Sequence, residues 1–144
     1  MAITQLSAFL ENTAGTLYDA VSAITDAGVN IRALSVADTK DFGILRIIVS
    51  DVEKTKEALD DNTIISETSV IAVKMNDQAG ALKNILKILK DDNVNIEYTY
   101  AFTGSMQGGA YVVLRVDDIE EGEAVLAKNG IITLSNEDMT GFLA

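Results

Sequence analysis

Two patterns of apolar residues follow each other along the chain, and the pair occurs twice. In the first, every second residue is apolar, as in a strand with one buried face. It covers Leu6, Ala8 and Leu10, and again Ile71, Val73 and Met75. In the second, the spacing is that of an amphipathic helix. It covers Leu17, Ala20, Val21 and Ile24, and again Leu82, Ile85, Leu86 and Leu89. Because corresponding positions lie 65 residues apart, the sequence predicts two copies of one structural unit.

Each copy continues with the same order of elements. A second strand begins near Asn30 and Asn95, a third covers residues 44–49 and 111–116, and a helix and a short fourth strand follow. The order β-α-β-β-α-β gives an antiparallel four-stranded sheet with both helices on one face. We therefore predict an α+β protein of two ferredoxin-like units, residues 1–68 and 69–144. Since no flexible linker separates them, we expect the units to pack side by side.

The third strands carry apolar residues and arginine on the face turned away from the helices. These residues are Ile44, Arg46 and Ile48 in the first copy, and Tyr111, Val113 and Arg115 in the second. Such a face favours burial against another sheet. We therefore expect a homodimer, formed through the sheet faces or the sheet edges.

Composition narrows the range of functions. The net charge of −11 disfavours nucleic acid and anionic membrane surfaces as partners. No apolar segment is long enough for a membrane helix, and the chain does not start with a signal-peptide pattern. The sequence contains no Cys and no His, which excludes a thiolate nucleophile and removes the commonest general base and metal ligand. We expect a cytoplasmic protein with no cofactor, metal site or catalytic residue.

A glycine turn separates the first strand from the first helix in each copy. The turns are Glu11-Asn12-Thr13-Ala14-Gly15-Thr16-Leu17 and Asn76-Asp77-Gln78-Ala79-Gly80-Ala81-Leu82. A turn at a helix start presents free backbone N–H groups and the positive end of the helix dipole, which suits a small anion such as a carboxylate. One such turn is also what any tight strand-to-helix connection requires. The repetition of the turn, together with Asn30 and Asn95 at the start of the second strands, favours a binding site.

These motifs resemble those of the ACT domain, an amino-acid-sensing module, over nearly the whole chain as two consecutive copies. The resemblance rests on the two glycine turns and on Gly28-Val29-Asn30-Ile31 and Asn93-Val94-Asn95-Ile96. It also rests on the segment from Ala37 to Arg46, which is similar to one in small stand-alone tandem ACT proteins. The sequence departs from the family pattern at Ala14 and Ala79, where proline usually precedes the glycine. A loop without that proline is less pre-organised.

The resemblance implies that a free amino acid binds at a domain interface, with Asn12 and Gly15 near its carboxylate or amino group. The candidate ligand-binding residues are Asn12, Thr13, Ala14, Gly15, Thr16, Leu17, Asn30, Ile31, Asp77, Ala79, Gly80, Ala81, Leu82, Asn95, Ile96, Tyr98 and Tyr100. The two tyrosines are included because they alternate along the second strand of copy two, where copy one has small residues. They either pack between the units or form a wall of a pocket.

The sequence thus favours a regulatory protein that binds a free amino acid and is not an enzyme. A structural pairing module without a ligand is one alternative. The other is an acylphosphatase-like enzyme, which would need an arginine at the glycine turn. The arginines Arg32, Arg46 and Arg115 all lie outside the two turns.

Overall fold

The fold is described from a computed structural model, which covers residues 2–38, 41–59, 61–76, 78–103 and 109–141. The first part of the chain contains β1 (Ile3–Glu11), α1 (Thr16–Asp26), β2 (Ile31–Asp38), β3 (Phe42–Val49), α2 (Val52–Ala58) and β4 (Ile64–Met75). The second part contains α3 (Ala81–Asp91), β5 (Ile96–Ala101), β6 (Ala110–Val116), α4 (Ile119–Lys128) and α5 (Asn136–Gly141). The predicted repeat of two β-α-β-β-α-β units is confirmed.

Local sequence fixes where the helices begin. Gly15 and Gly80 precede α1 and α3, and both have the left-handed conformation that glycine adopts without steric cost. Asp51 and Asp118 precede α2 and α4 and cap them. The Asp51 carboxylate accepts from the Lys54 amide at 3.0 Å, and the Asp118 carboxylate accepts from the Glu121 amide at 3.1 Å.

β4 belongs to both units. Its first part pairs with β1, from Phe9 opposite Ile64 to Ile3 opposite Val70, and its second part pairs with β6. The strand order is β2-β3-β1-β4-β6-β5, with antiparallel pairing throughout. The fourth strand of the first unit and the first strand of the second are therefore one continuous strand. The short fourth strand predicted near residue 132 corresponds to a single bridge, Thr133 opposite Val73.

Each unit packs its helices on one face of its sheet. The core of the first unit includes Leu6, Ile24 and Leu45, and the core of the second includes Ile71, Leu89 and Leu114. Among the described residues, no helix combines the length and apolar character needed to cross a bilayer.

The strands form one six-stranded sheet, and the parts that belong to the two units form a third core on the faces turned away from the helices. Its buried members include Ile3, Ile48, Val70, Tyr111 and Val113. The edges of the two sheets also meet, because Ala33 on β2 forms a bridge with Phe102, just after β5. The sequence predicted that the face of the third strands turned away from the helices is buried against another sheet. Much of this face is covered by the other unit of the same chain. The homodimer itself stays a prediction.

Candidate functional site

The first glycine turn is closed by its own backbone. The Thr13 amide donates to the Glu11 carbonyl at 3.0 Å, and the Thr16 amide donates to the Thr13 carbonyl at 3.4 Å. Gly15, at φ 88°, is the N-cap of α1, and no side chain of the described residues caps this helix. The Asn12 amide also donates to the Asp41 carbonyl at 3.4 Å, so three amides of the turn are occupied, and Gly15 has no side chain that could occupy the others.

The second turn repeats this geometry. The Ala81 amide donates to the Gln78 carbonyl at 3.2 Å, and Gly80, at φ 90°, is the N-cap of α3, for which no described side chain forms a capping hydrogen bond. A Cβ added to Gly15 or to Gly80 would meet no atom within 4 Å. Space over both turns is therefore open, and the glycines are needed for their backbone conformation. Asp77, a predicted site residue, lies outside the described residues.

A cavity of about 370 Å³ lies beside the second turn. Its volume is at the lower end of the range for small-molecule sites. The residues around it come from the end of β4, the start of α3 and the segment after α4: Lys74, Met75, Asn76, Ala81, Asn84, Ile85, Gly130, Ile131 and Ile132. Only Ala81 was among the predicted site residues. Residues 130–132 were missed because nothing in their sequence shows that the chain returns to this turn.

A second cavity, of about 450 Å³, lies between the end of α1 and the start of β2. Asn30 and Ile31 line it, together with Leu34 and Thr103. The Asn30 amide donates to Ser50 Oγ at 2.9 Å. Neither cavity is lined by both the glycine turn and the second-strand start of one unit. In the second unit the Asn95 amide donates to the Asp117 carboxylate at 3.1 Å.

Tyr98 and Tyr100 face a buried polar side chain of the other unit. Gln5 is 0% exposed; its Nε2 donates to the Tyr98 hydroxyl at 2.8 Å, and its Oε1 accepts from the Tyr100 hydroxyl at 2.6 Å. The Arg46 guanidinium lies 4.0 Å from the centre of the Tyr98 ring. Burial raises the pKa of the Tyr100 phenol. The contacts observed for the tyrosines are therefore those of packing between the units.

Comparison with known proteins identifies the family. A family model described as an ACT domain pair matches residues 1–143. The chain belongs to this family. ACT domain pairs are typical of small-molecule-binding regulatory domains, and the family is regulatory rather than catalytic.

Solved structures extend this result to the fold. Protein BT0572 from Bacteroides thetaiotaomicron is 35% identical, with 97% of this chain and 96% of that chain covered and a TM-score of 0.88. The ligand-free regulatory subunit of aspartate kinase from Thermus thermophilus is 11% identical, with 88% and 90% covered and a TM-score of 0.65. Aspartokinase alpha and beta subunits are 18% identical, with 86% and 90% covered and a TM-score of 0.54. The last two likenesses concern the fold alone. A search of curated proteins found no match.

One charged side chain at the junction of the two ACT units was not singled out as a site residue. The Nε and Nη2 atoms of Arg32 are buried and have no hydrogen-bond partner among the described residues. Burial lowers the pKa of this arginine below its usual value. No sequence signal identifies it, because an arginine on a strand is ordinarily a solvent-exposed residue.

Proposed function

We propose that this ACT domain pair is a non-catalytic regulatory protein that binds a free amino acid beside the second glycine turn. The observation that carries the proposal is the cavity of about 370 Å³ beside a glycine turn whose left-handed Gly80 is the N-cap of α3 and makes no side-chain capping bond. The same turn geometry in the first unit supports the view that the repeat preserves a binding feature.

The groups around this cavity match the parts of an amino acid. The start of α3 offers backbone amides and the positive end of an 11-residue helix to a carboxylate. Asn76 and Asn84 provide side-chain amides, which can both donate and accept hydrogen bonds. Ile85 and Ile131 provide an apolar wall for an aliphatic side chain. This division between a polar end and an apolar wall favours a small zwitterion over a purely apolar ligand.

The proposal treats the two units as unequal. In the second unit the cavity is lined by Ala81 of the glycine turn, whereas in the first unit the cavity lies instead at Asn30 and Ile31. We propose the other sequence-derived site residues as secondary contacts only. A cytoplasmic location and a homodimer belong to the same proposal.

The test measures the melting temperature of the protein with each of the twenty amino acids at millimolar concentration. A ligand that binds the folded state alone stabilises it, by about 2.7 kcal/mol at a hundredfold excess over its dissociation constant. We expect one amino acid, or one chemical class of amino acids, to raise the melting temperature by several degrees. If none of the twenty does so, the amino-acid proposal is wrong.

A matched pair of variants locates the site. Gly80→Ala and Gly15→Ala place the same methyl group at the same positive φ in open space. Each should cost about 1 kcal/mol of folding stability from backbone strain. We expect Gly80→Ala alone to weaken ligand binding, measured by isothermal titration calorimetry. Equal weakening by both variants would contradict a site at the second turn.

A structural pairing module is the second candidate function, because the two sheets already bury a third core between them. On this alternative the glycine turns serve only the fold. It would be favoured by a protein whose melting temperature responds to no amino acid.

A further inference from the structure

The outer surface of α3 differs in charge from the other helices. Of the five helices that the structure describes, only α3 has more basic than acidic residues, with Lys83, Lys87 and Lys90 against Asp91. All three lysines are exposed. Among the described residues, Lys87 forms an ion pair with Asp91 at 2.6 Å, whereas Lys83 and Lys90 form none. In a chain with a net charge of −11, this surface favours an acidic partner.

The same surface of α3 is also partly apolar. The lysines surround Leu82, which is 37% exposed, and Leu86, which is partly exposed. These five residues line a surface hollow of about 680 Å³. The opposite side of the helix, with Ile85 and Leu89, packs into the core of the second unit. The outer side of α3 therefore combines an apolar centre with a charged rim, as docking surfaces do.

A complementary surface lies on the neighbouring helix α4. Both helices pack on the same face of the sheet and contact each other. The exposed side of α4 carries Glu120 and Glu121 near its start and two small residues, Ala124 and Ala127, further along. Its exposed residues are thus acidic and small where those of α3 are basic and large. Each helix therefore offers the charge and the shape that the other requires.

This complementarity is specific to the second unit. At the repeat distance of 65 residues, the three lysines of α3 correspond to uncharged residues of α1, namely Tyr18, Ser22 and Thr25. When the N-caps Asp51 and Asp118 are aligned, Ala124 corresponds to Glu57 of α2. The outer helices of the first unit therefore have neither the basic nor the small residues at these positions.

We propose that two copies of this chain dimerise through the outer helices of their second units, with α3 of each copy packed against α4 of the other. A twofold axis between α3 and α4 generates both contacts at once, so the assembly closes at two copies. The lysines of α3 then face the glutamates of α4, and the leucines pack over Ala124 and Ala127.

This interface gives a location to the homodimer of the proposed function, and it rests on that part of the proposal alone. The sequence predicted contact through the sheet faces or edges. The third core covers much of the faces, and the edges meet at Ala33 and Phe102. The helices α3 and α4 have 11 and 10 residues, or about 15 Å each. Because two such helices form a small contact, we expect a dimer that dissociates at micromolar concentration.

Charge reversal tests the interface by sedimentation velocity over a range of protein concentrations. Two double variants, Lys83→Glu with Lys90→Glu and Glu120→Lys with Glu121→Lys, each place like charges across the contact. Each should raise the dissociation constant of the dimer by about tenfold or more. The combined variant with all four changes has opposite charges across the contact again, and it should dimerise like the parent protein.

A matched control separates the interface from the effect of net charge. Lys54→Glu with Lys56→Glu changes the net charge of the chain by as much as the reversal on α3, but it does so on α2 of the first unit. The dissociation constant of this control should equal that of the parent protein. Ala124→Arg is a further test, because it adds bulk and a positive charge at an exposed position of α4 while arginine remains a good helix former. It should prevent dimerisation, with an unchanged circular dichroism spectrum.

Three results would overturn the proposal. One is a parent protein that stays monomeric at millimolar concentration. If that monomer binds vesicles of anionic phospholipid and loses this binding with Lys83→Glu and Lys90→Glu, the surface serves a membrane. The second is a dimer that persists in both reversed pairs and in Ala124→Arg, which would mean that another surface forms it. The third is a folded combined variant that stays monomeric.

The amino-acid test has a separate readout. None of the substituted residues lines the cavity beside the second glycine turn. The rise in melting temperature with an amino acid should therefore persist in the monomeric variants. A dimer through α3 and α4 that responds to no amino acid would leave this interface standing and remove the amino-acid site. A monomeric parent protein that responds to an amino acid would do the reverse.

Discussion

Tyr100→Phe tests how the two units are held together. The change removes one hydroxyl group and leaves the ring in place. In the structure that hydroxyl donates to Gln5 Oε1 at 2.6 Å, and Gln5 is 0% exposed. Since Gln5 comes from the first unit and Tyr100 from the second, the bond crosses the boundary between them.

The expected cost follows from what Gln5 loses. Among the described residues, Oε1 accepts only from Tyr100, so the variant leaves a buried acceptor without a partner. That costs about 1 to 3 kcal/mol. Tyr98→Phe should cost less, about 1 kcal/mol, because Gln5 Nε2 keeps Ser7 Oγ as an acceptor at 3.1 Å.

The assay is urea unfolding followed by circular dichroism, with the melting temperature as a second readout. For a chain of this size, 1 kcal/mol corresponds to about 3 to 4 °C. Tyr18→Phe is the control, because Tyr18 is 71% exposed and its hydroxyl is available to water. We expect the control to stay within about 0.5 kcal/mol of the parent protein.

Two results would refute the reasoning. One is a Tyr100→Phe protein as stable as the Tyr18→Phe control. The other is a Tyr98→Phe protein that loses more stability than Tyr100→Phe. Either result would mean that Gln5 does not depend on Tyr100 in the way the distances indicate.

Three further variants or conditions test other contacts. Gly122→Ala should lower the unfolding free energy by about 1 kcal/mol, because the new Cβ would lie 2.9 Å from Val116 Cγ2. We expect this loss although alanine has a higher helix propensity than glycine. In urea unfolding, the double variant with Val116→Ala should recover part of the loss. Above pH 10, tyrosine ionises in the unfolded chain, whereas the raised pKa of buried Tyr100 keeps its phenol neutral in the folded chain. The unfolding free energy should therefore fall with rising pH, and its slope should be steeper than that of the Tyr100→Phe variant by up to about 1.4 kcal/mol per pH unit. Parallel curves of unfolding free energy against pH for the two proteins would contradict this. Arg46→Met should cost about 0.5 to 1 kcal/mol by removing the cation above the Tyr98 ring, a loss that should vanish when Tyr98 is also changed to Leu.

The features that the sequence predicted correctly depend on neighbours in the chain. The glycines at 15 and 80 mark helix starts because few residues other than glycine adopt their backbone conformation readily. The apolar spacing around Ile24 and Leu89 places both residues in the cores of their units. Local rules of this kind also locate the glycine turns. The second turn, which lies beside the cavity, could therefore be predicted from the sequence as a candidate binding site.

The features that the sequence did not predict depend on residues far apart in the chain. Nothing near Gln5 indicates that it contacts Tyr98 and Tyr100, more than 90 residues away. The same holds for Ile131 beside the second turn, and for the Nε and Nη2 atoms of Arg32, which have no hydrogen-bond partner among the described residues. Each of these arrangements follows from how the strands pair and how the two sheets pack, which local patterns do not specify.

The contact between the sheets also explains why the two copies have diverged. Phe102 of the second unit lies opposite Ala33 of the first unit. Tyr98 and Tyr100 of the second unit contact Gln5, which lies on β1 of the first unit. At a repeat distance of 65 residues, Ala33 corresponds to Tyr98, and Ser35 corresponds to Tyr100. Large side chains on both β2 and β5 would overfill the space between these strands, and small side chains on both would leave a void. Large side chains on β5 facing small ones on β2 fill the space. At this contact the two units therefore cannot exchange roles, because each supplies the side-chain size that the other lacks.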